Sequence, residues 1–176
     1  ISNMTKLVIK FAIFFVLIVL VQVTVVNHLV LCGVAVPMFF IWWLLRLPLT
    51  LNANWALTCG FFLGLTIDVF SDTLGMNALA CTIIAALRHP VLHLYFPREE
   101  DLTDPEPSFR TLGPAVYLKY LITLTVIYCT IYFMIEAMSF FNPIRLIMCI
   151  TGSSILTFIL IAAIDSITGK QREKRL

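Results

Sequence analysis

GFFLGLTIDVFSDTLGMNALACTIIAA, residues 60–86, is the stretch on which the reading of this chain turns. Two apolar runs flank a short turn, Ser71, Asp72, Thr73, Leu74 and Gly75. Where the solvent is hydrocarbon, every backbone N–H and C=O needs a partner inside the protein, and a helix supplies them within its own run. Gly60, Gly64 and Asp68 recur every four residues, which places them along one face of the first helix. The glycine pair makes a GxxxG groove that lets another helix come to backbone distance. That face serves packing within the chain or docking of a partner. Asp68 is either hydrated at an interface or held by hydrogen bonds, because a bare carboxylate in a span is costly.

The rest of the chain agrees with a lipid setting. Of 176 residues, 60% are apolar and 12% charged, about half the charge of an ordinary soluble domain. The spacing predicts an all-α integral membrane protein with six spans, at about 7–26, 29–47, 55–70, 76–94, 115–136 and 143–167. The run 11–26 follows Lys6 and Lys10 without a small-residue cleavage site, and reads as a retained anchor. Pro37 should kink the second span or mark a late start. The fourth should be short or kinked, since Arg88, His89 and Pro90 interrupt it. Residues 96–114, with four prolines and five acids, read as a loop, and 170–176 as a basic tail.

Orientation follows the cations. With both termini cytoplasmic, 11 of the 12 lysines and arginines fall on the cytoplasmic side, and Arg145 alone lies opposite. The far-side links, 27–29, 71–75 and 137–142, are then very short. Trp42, Trp43, Arg46, Arg88 and Lys119 sit at predicted span ends, where indoles and long cations anchor at headgroups. The tail could rest on anionic lipid.

Chemical constellations are sparse. Cys32, Cys59, Cys81, Cys129 and Cys149 are dispersed in apolar runs and read as packing residues. His89 and His93 share a helical face but have no third ligand in view, so they read as interfacial. Asp165 and Glu136 come near span ends; Asp165 could pair with loop or tail cations. A net charge of +2 with no basic face gives no reason to expect nucleic acid. No nucleophile–base pair, phosphate loop or cofactor motif appears, so neither enzyme activity nor a cofactor is expected.

Residues 60–86 also resemble the signature of the MreD family, rod shape-determining membrane proteins of bacteria. Gly60, Gly64, Asp68, Leu74, Gly75 and Asn77 match that pattern in place, and the chain agrees with the family in length and span number. The resemblance implies a non-enzymatic scaffold of the inner membrane in the cell-elongation complex. Its partners would be MreC, RodA with its transpeptidase, and MreB through loop 96–114. No small-molecule substrate is expected. Gly60 and Gly64 would allow close helix approach, Gly75 would free the turn, and Asp68 with Asn77 would hold the hairpin or meet a partner. The family's fold is similar to the S components of energy-coupling-factor vitamin transporters. That sets the alternative: a vitamin-binding subunit, which needs polar groups such as Asn27, His28, Asp68, Asp72, Asn77 and Asn142 to converge on a pocket.

Overall fold

The computed structural model describes residues 2–24, 35–49, 51–73, 75–96, 107–137 and 142–173. Expectations for Leu74, Asn27, His28, Cys32, most of loop 96–114 and the last three tail residues lie outside these. The described residues form seven helical elements: α1 (Ser2–Thr24), α2 (Ile41–Leu45), α3 (Ala53–Ser71), α4 (Met76–Tyr95), α5 (Phe109–Leu112), α6 (Pro114–Ala137) and α7 (Pro143–Glu173). No β-strand is among them.

Among the described residues, four helices are long and apolar enough to cross a membrane: α3, α4, α6 and the Pro143–Asp165 part of α7. The protein is membrane-embedded and multi-pass. Its outward surface carries Phe61, Phe62, Val69, Phe70, Ile147 and Ile155, the reverse of a water-soluble surface. Prolines open α6 and α7, where the missing N–H would have had no helical partner. Of the two forms expected for the fourth span, short or kinked, the short one is excluded: α4 runs 20 residues and continues through Pro90, about 30 Å at helical rise. Loop 96–114 is likewise not wholly irregular. Ser108 and Thr111 form a capping box around the single turn of α5.

Helix α3 packs on α4, α4 on α6 and α6 on α7, while α1 lies against α3. The described part of the second predicted span, 35–47, sits inside this arc and is not one helix. Pro37 cannot donate and its ring would clash with a preceding turn, so helix forms only after it, at Ile41. The extended approach must then find its hydrogen bonds elsewhere. Val36 N donates to Ser153 Oγ at 3.0 Å and Met38 N to Thr157 Oγ1 at 2.9 Å, both hydroxyls on α7. On the other edge, Gln22 of α1 donates from Nε2 to Pro37 O and accepts at Oε1 from Phe39 N, both at 3.1 Å. Residues 35–39 thus behave as a strand whose two neighbours are side chains.

This clip is a test of the arrangement. Gln22→Leu conserves bulk but leaves a buried N–H and C=O without partners, which costs about 2–4 kcal/mol. The expected result is a lower thermal midpoint in detergent, whereas Gln22→Glu should keep the bond to Phe39 and lose that to Pro37. An unchanged midpoint for Gln22→Leu would show that the clip contributes nothing.

The five residues of α2 are all buried, with Phe39 and Phe40 before them and Leu47 after. Trp42 and Trp43, expected at headgroups, are core residues instead. Trp43 donates to Phe11 O of α1 at 3.0 Å and meets the Phe15 ring edge-on. The tryptophan at the surface is Trp55, 64% exposed at the start of α3, a residue that sequence reading did not single out.

Candidate functional site

Two clusters of buried polar side chains stand out, one at each end of the α6 core face. The first is the α3–α4 hairpin. Gly60 and Gly64 face α4 so closely that side chains do not fit. A Cβ on Gly64 would lie 2.4 Å from Asn77 O and 2.5 Å from Ala78 Cα; on Gly60 it would lie 2.9 Å from Cys81 O. The glycine face is therefore spent on packing within the chain.

Close approach brings Asp68 to the start of α4. Gly75 is the N-cap of that helix and offers no side chain to its first amides. Asp68 serves instead. Its Oδ2 accepts from Ala78 N at 2.8 Å, and its Oδ1 accepts from Asn77 N at 3.1 Å, from Asn77 Nδ2 at 2.9 Å and from the Thr73 hydroxyl. Two orphan amides of α4 are satisfied, and the carboxylate sits at the positive end of the helix. Asn77 is pinned in turn, because Tyr128 of α6 donates to its Oδ1. The turn itself needs left-handed backbone at Asp72 and Gly75, with φ of 54° and 75°. Asp tolerates that region better than most residues and Gly occupies it freely.

The second cluster centres on Asp165 of α7. It accepts from Trp42 Nε1 at 2.9 Å, from Arg46 at 3.3 Å and from the Tyr117 hydroxyl of α6. The Arg46 guanidinium also lies over the Trp42 ring, 5.3 Å from its centroid. Arg88, 0% exposed, reaches from α4 to the carbonyls that end α2 and follow it, Leu44 O at 3.2 Å and Pro48 O at 2.8 Å. Tyr120 approaches Leu45 O at 3.5 Å. A helix end buried away from water needs such donors, and cations suit its negative pole.

The sequence-chosen residues divide accordingly. Gly60, Gly64, Asp68, Gly75 and Asn77 come together in one hairpin. Arg46 and Arg88 are both engaged inside the protein, Arg46 by Asp165 and Arg88 by the carbonyls at and after the end of α2. Lys119 is exposed on α6. Asp165, read as a span-end carboxylate that could pair with a loop or tail cation, pairs with Arg46. Among the described residues no group of three or more His, Cys, Asp or Glu is placed to hold a metal ion. Cys81 and Cys129 are buried packing residues. The residues that sequence reading missed are Gln22, Ser153, Thr157, Tyr117 and Tyr128. Their one signal was position: a lone amide in an apolar run, two hydroxyls four apart, and two tyrosines eleven apart and so on one helical face.

The geometry defines a class, a multi-pass helical membrane protein whose buried charges brace its helices. Beyond the class, no family model, no curated protein and no solved structure matches this chain.

Proposed function

We propose that this protein is a non-enzymatic scaffold of the bacterial cytoplasmic membrane, of the MreD kind, acting in the complex that builds the lateral cell wall. In this reading it binds MreC, joins RodA and its transpeptidase, and meets MreB at its cytoplasmic face. It crosses the membrane six times with both termini inside. One observation carries the reading. The residues of the family-like signature, Gly60, Gly64, Asp68, Gly75 and Asn77, converge on a single hairpin contact. Both Asp68 oxygens are engaged by the protein's own donors, which suits a rigid brace for partners better than a reacting or ligand-exchanging group.

The vitamin-binding alternative draws less support from the same geometry. Asp68, Thr73 and Asn77 are directed at one another, leaving fewer polar groups to converge on a solute. Purification of the tagged chain from native membranes separates the two. Recovery of MreC and RodA is expected. Recovery of a small heterocyclic solute in near-equimolar amount, without either protein, would overturn the scaffold reading.

A further inference from the structure

The outer wall made by α3, α4 and α6 has a height that its exposed residues mark. Helix α4 packs against both of the others. It runs against α3 through the short turn between them, and against α6, since Asn77 meets Tyr128 and Tyr95 meets Thr123. Helices α3 and α6 therefore point the same way. Phe62, Leu65 and Val69 of α3 are exposed on this wall, as are Ile122, Val126 and Met134 of α6.

Each apolar face ends in polar residues. On α3 the lower limit is exposed Trp55 with exposed Asn52 and Asn54 beside it, and the upper is exposed Asp72 in the turn. On α6 the limits are Lys119 and Glu136, both exposed. Trp55 and Asp72 are 17 positions apart, and so are Lys119 and Glu136, about 25 Å at helical rise. The two measures also share a depth. Gly64 and Tyr128 both meet Asn77. Trp55 and Lys119 lie nine positions before them, and Asp72 and Glu136 eight after. The limits thus match across the wall to within about one helical turn. A lysine stem reaches outward past its own level, but asparagine, aspartate and glutamate are shorter and hold the limits more closely. Tilt of either helix only shortens its reach along the bilayer normal, so about 25 Å is an upper figure.

Between the limits, hydroxyls are turned inward to the protein. Thr58, Thr66 and Thr130 donate to the carbonyls four residues back, at 2.8, 2.7 and 2.8 Å. Thr123 is bonded to Tyr95 at 3.0 Å, which also keeps the end of α4, with exposed Leu94, near the lower limit. Acyl chains offer no hydrogen bonds in return. The glycines of α3 face α4, leaving bulky residues outward, whereas close docking of another membrane helix favours small ones.

The hydrocarbon core of a typical bilayer is about 30 Å thick. We propose that the α3–α4–α6 wall is a lipid-facing surface fitted to a thinner layer, and that in an ordinary bilayer it draws the adjacent lipid in by roughly 5 Å. Indole, amide and ammonium groups meet the headgroups at one limit and carboxylates at the other.

The test reconstitutes the full-length chain in vesicles of dimyristoleoyl, dipalmitoleoyl, dioleoyl or dierucoyl phosphatidylcholine, in order of increasing thickness. The thermal midpoint should be highest in one of the two thinner bilayers and fall by roughly 5 °C or more from there to dierucoyl lipid. A maximum in dioleoyl or dierucoyl lipid overturns the proposal. So does a flat profile, which is the result if a second copy or another protein covers the wall in place of lipid. Lys119→Leu combined with Glu136→Leu lengthens the apolar face of α6 at both ends without touching the core. Its maximum should move to a thicker bilayer than that of the unmodified chain; an unmoved maximum also overturns the proposal.

Discussion

Gly64→Ala is expected to be the most damaging single-methyl change in this protein. The new Cβ would sit 2.4 Å from Asn77 O and 2.5 Å from Asn77 C and Ala78 Cα, all backbone atoms of α4. A side chain could rotate away; a helix backbone cannot, so α3 and α4 must separate. Separation lengthens the Asp68 bonds to Asn77 N and Ala78 N as well, so steric and polar losses add. Overpacking with no escape costs about 3 kcal/mol or more, equivalent to roughly 6–12 °C in midpoint for a chain of this size. Two comparisons sharpen the expectation. Gly60→Ala meets Cys81 O at 2.9 Å and should cost less. Gly75→Ala meets nothing within 4 Å and suffers only from its φ of 75°, about 1 kcal/mol. Midpoints should fall in the order Gly75, Gly60, Gly64. If Gly75→Ala proves the worst, the hairpin is governed by its turn and the close approach is incidental.

Asp68→Asn is expected to come next, despite being nearly isosteric. Four donors converge on the carboxylate: Thr73, both nitrogens of Asn77 and the amide of Ala78. An amide side chain offers one oxygen and one NH2. Whichever way it turns, the NH2 faces a donor, Ala78 N on one side or the other three on the opposite side. The variant also removes a negative charge from the N-terminus of α4. Together these cost about 3 kcal/mol. A double-mutant cycle with Asn77→Ala should show strong coupling, since the two side chains share a bond. Independent effects would mean that Asp68 is stabilised by the α4 amides alone. Under the scaffold proposal, Asp68→Asn should also reduce MreC recovery in step with lost hairpin stability.

The expectations that survived are those set by local pattern. The α3–α4 hairpin is visible in residues 60–86 because glycine spacing, a polar turn and two apolar runs are all short-range features. Span ends at Pro114 and Pro143 were legible because proline acts on its own backbone. Pro37 was legible only as a disruption; its outcome, a buried extended segment with a five-residue helix after it, depended on what surrounded it. Trp42 and Trp43 misled for the same reason. An indole near a predicted span end favours the headgroup layer only if that end reaches it, and here the end is packed inside the protein.

Taken alone, the sequence determined the solvent of this protein, the long spans and the existence of the α3–α4 hairpin. Hydropathy and four-residue spacing are properties of contiguous residues, and no distant partner is needed to interpret them. Tertiary structure decided the rest. Asp165 meets Trp42 across 123 positions, and Val36 meets Ser153 across 117. No local pattern encodes which buried donor will find which acceptor at such separations. Lipid supplies no hydrogen bonds, so the chain had to satisfy residues 35–49 from whatever α1, α4, α6 and α7 brought within reach. The glycine face of residues 60–64 was likewise open to a partner or to the chain itself until the backbone of α4 was seen resting on it.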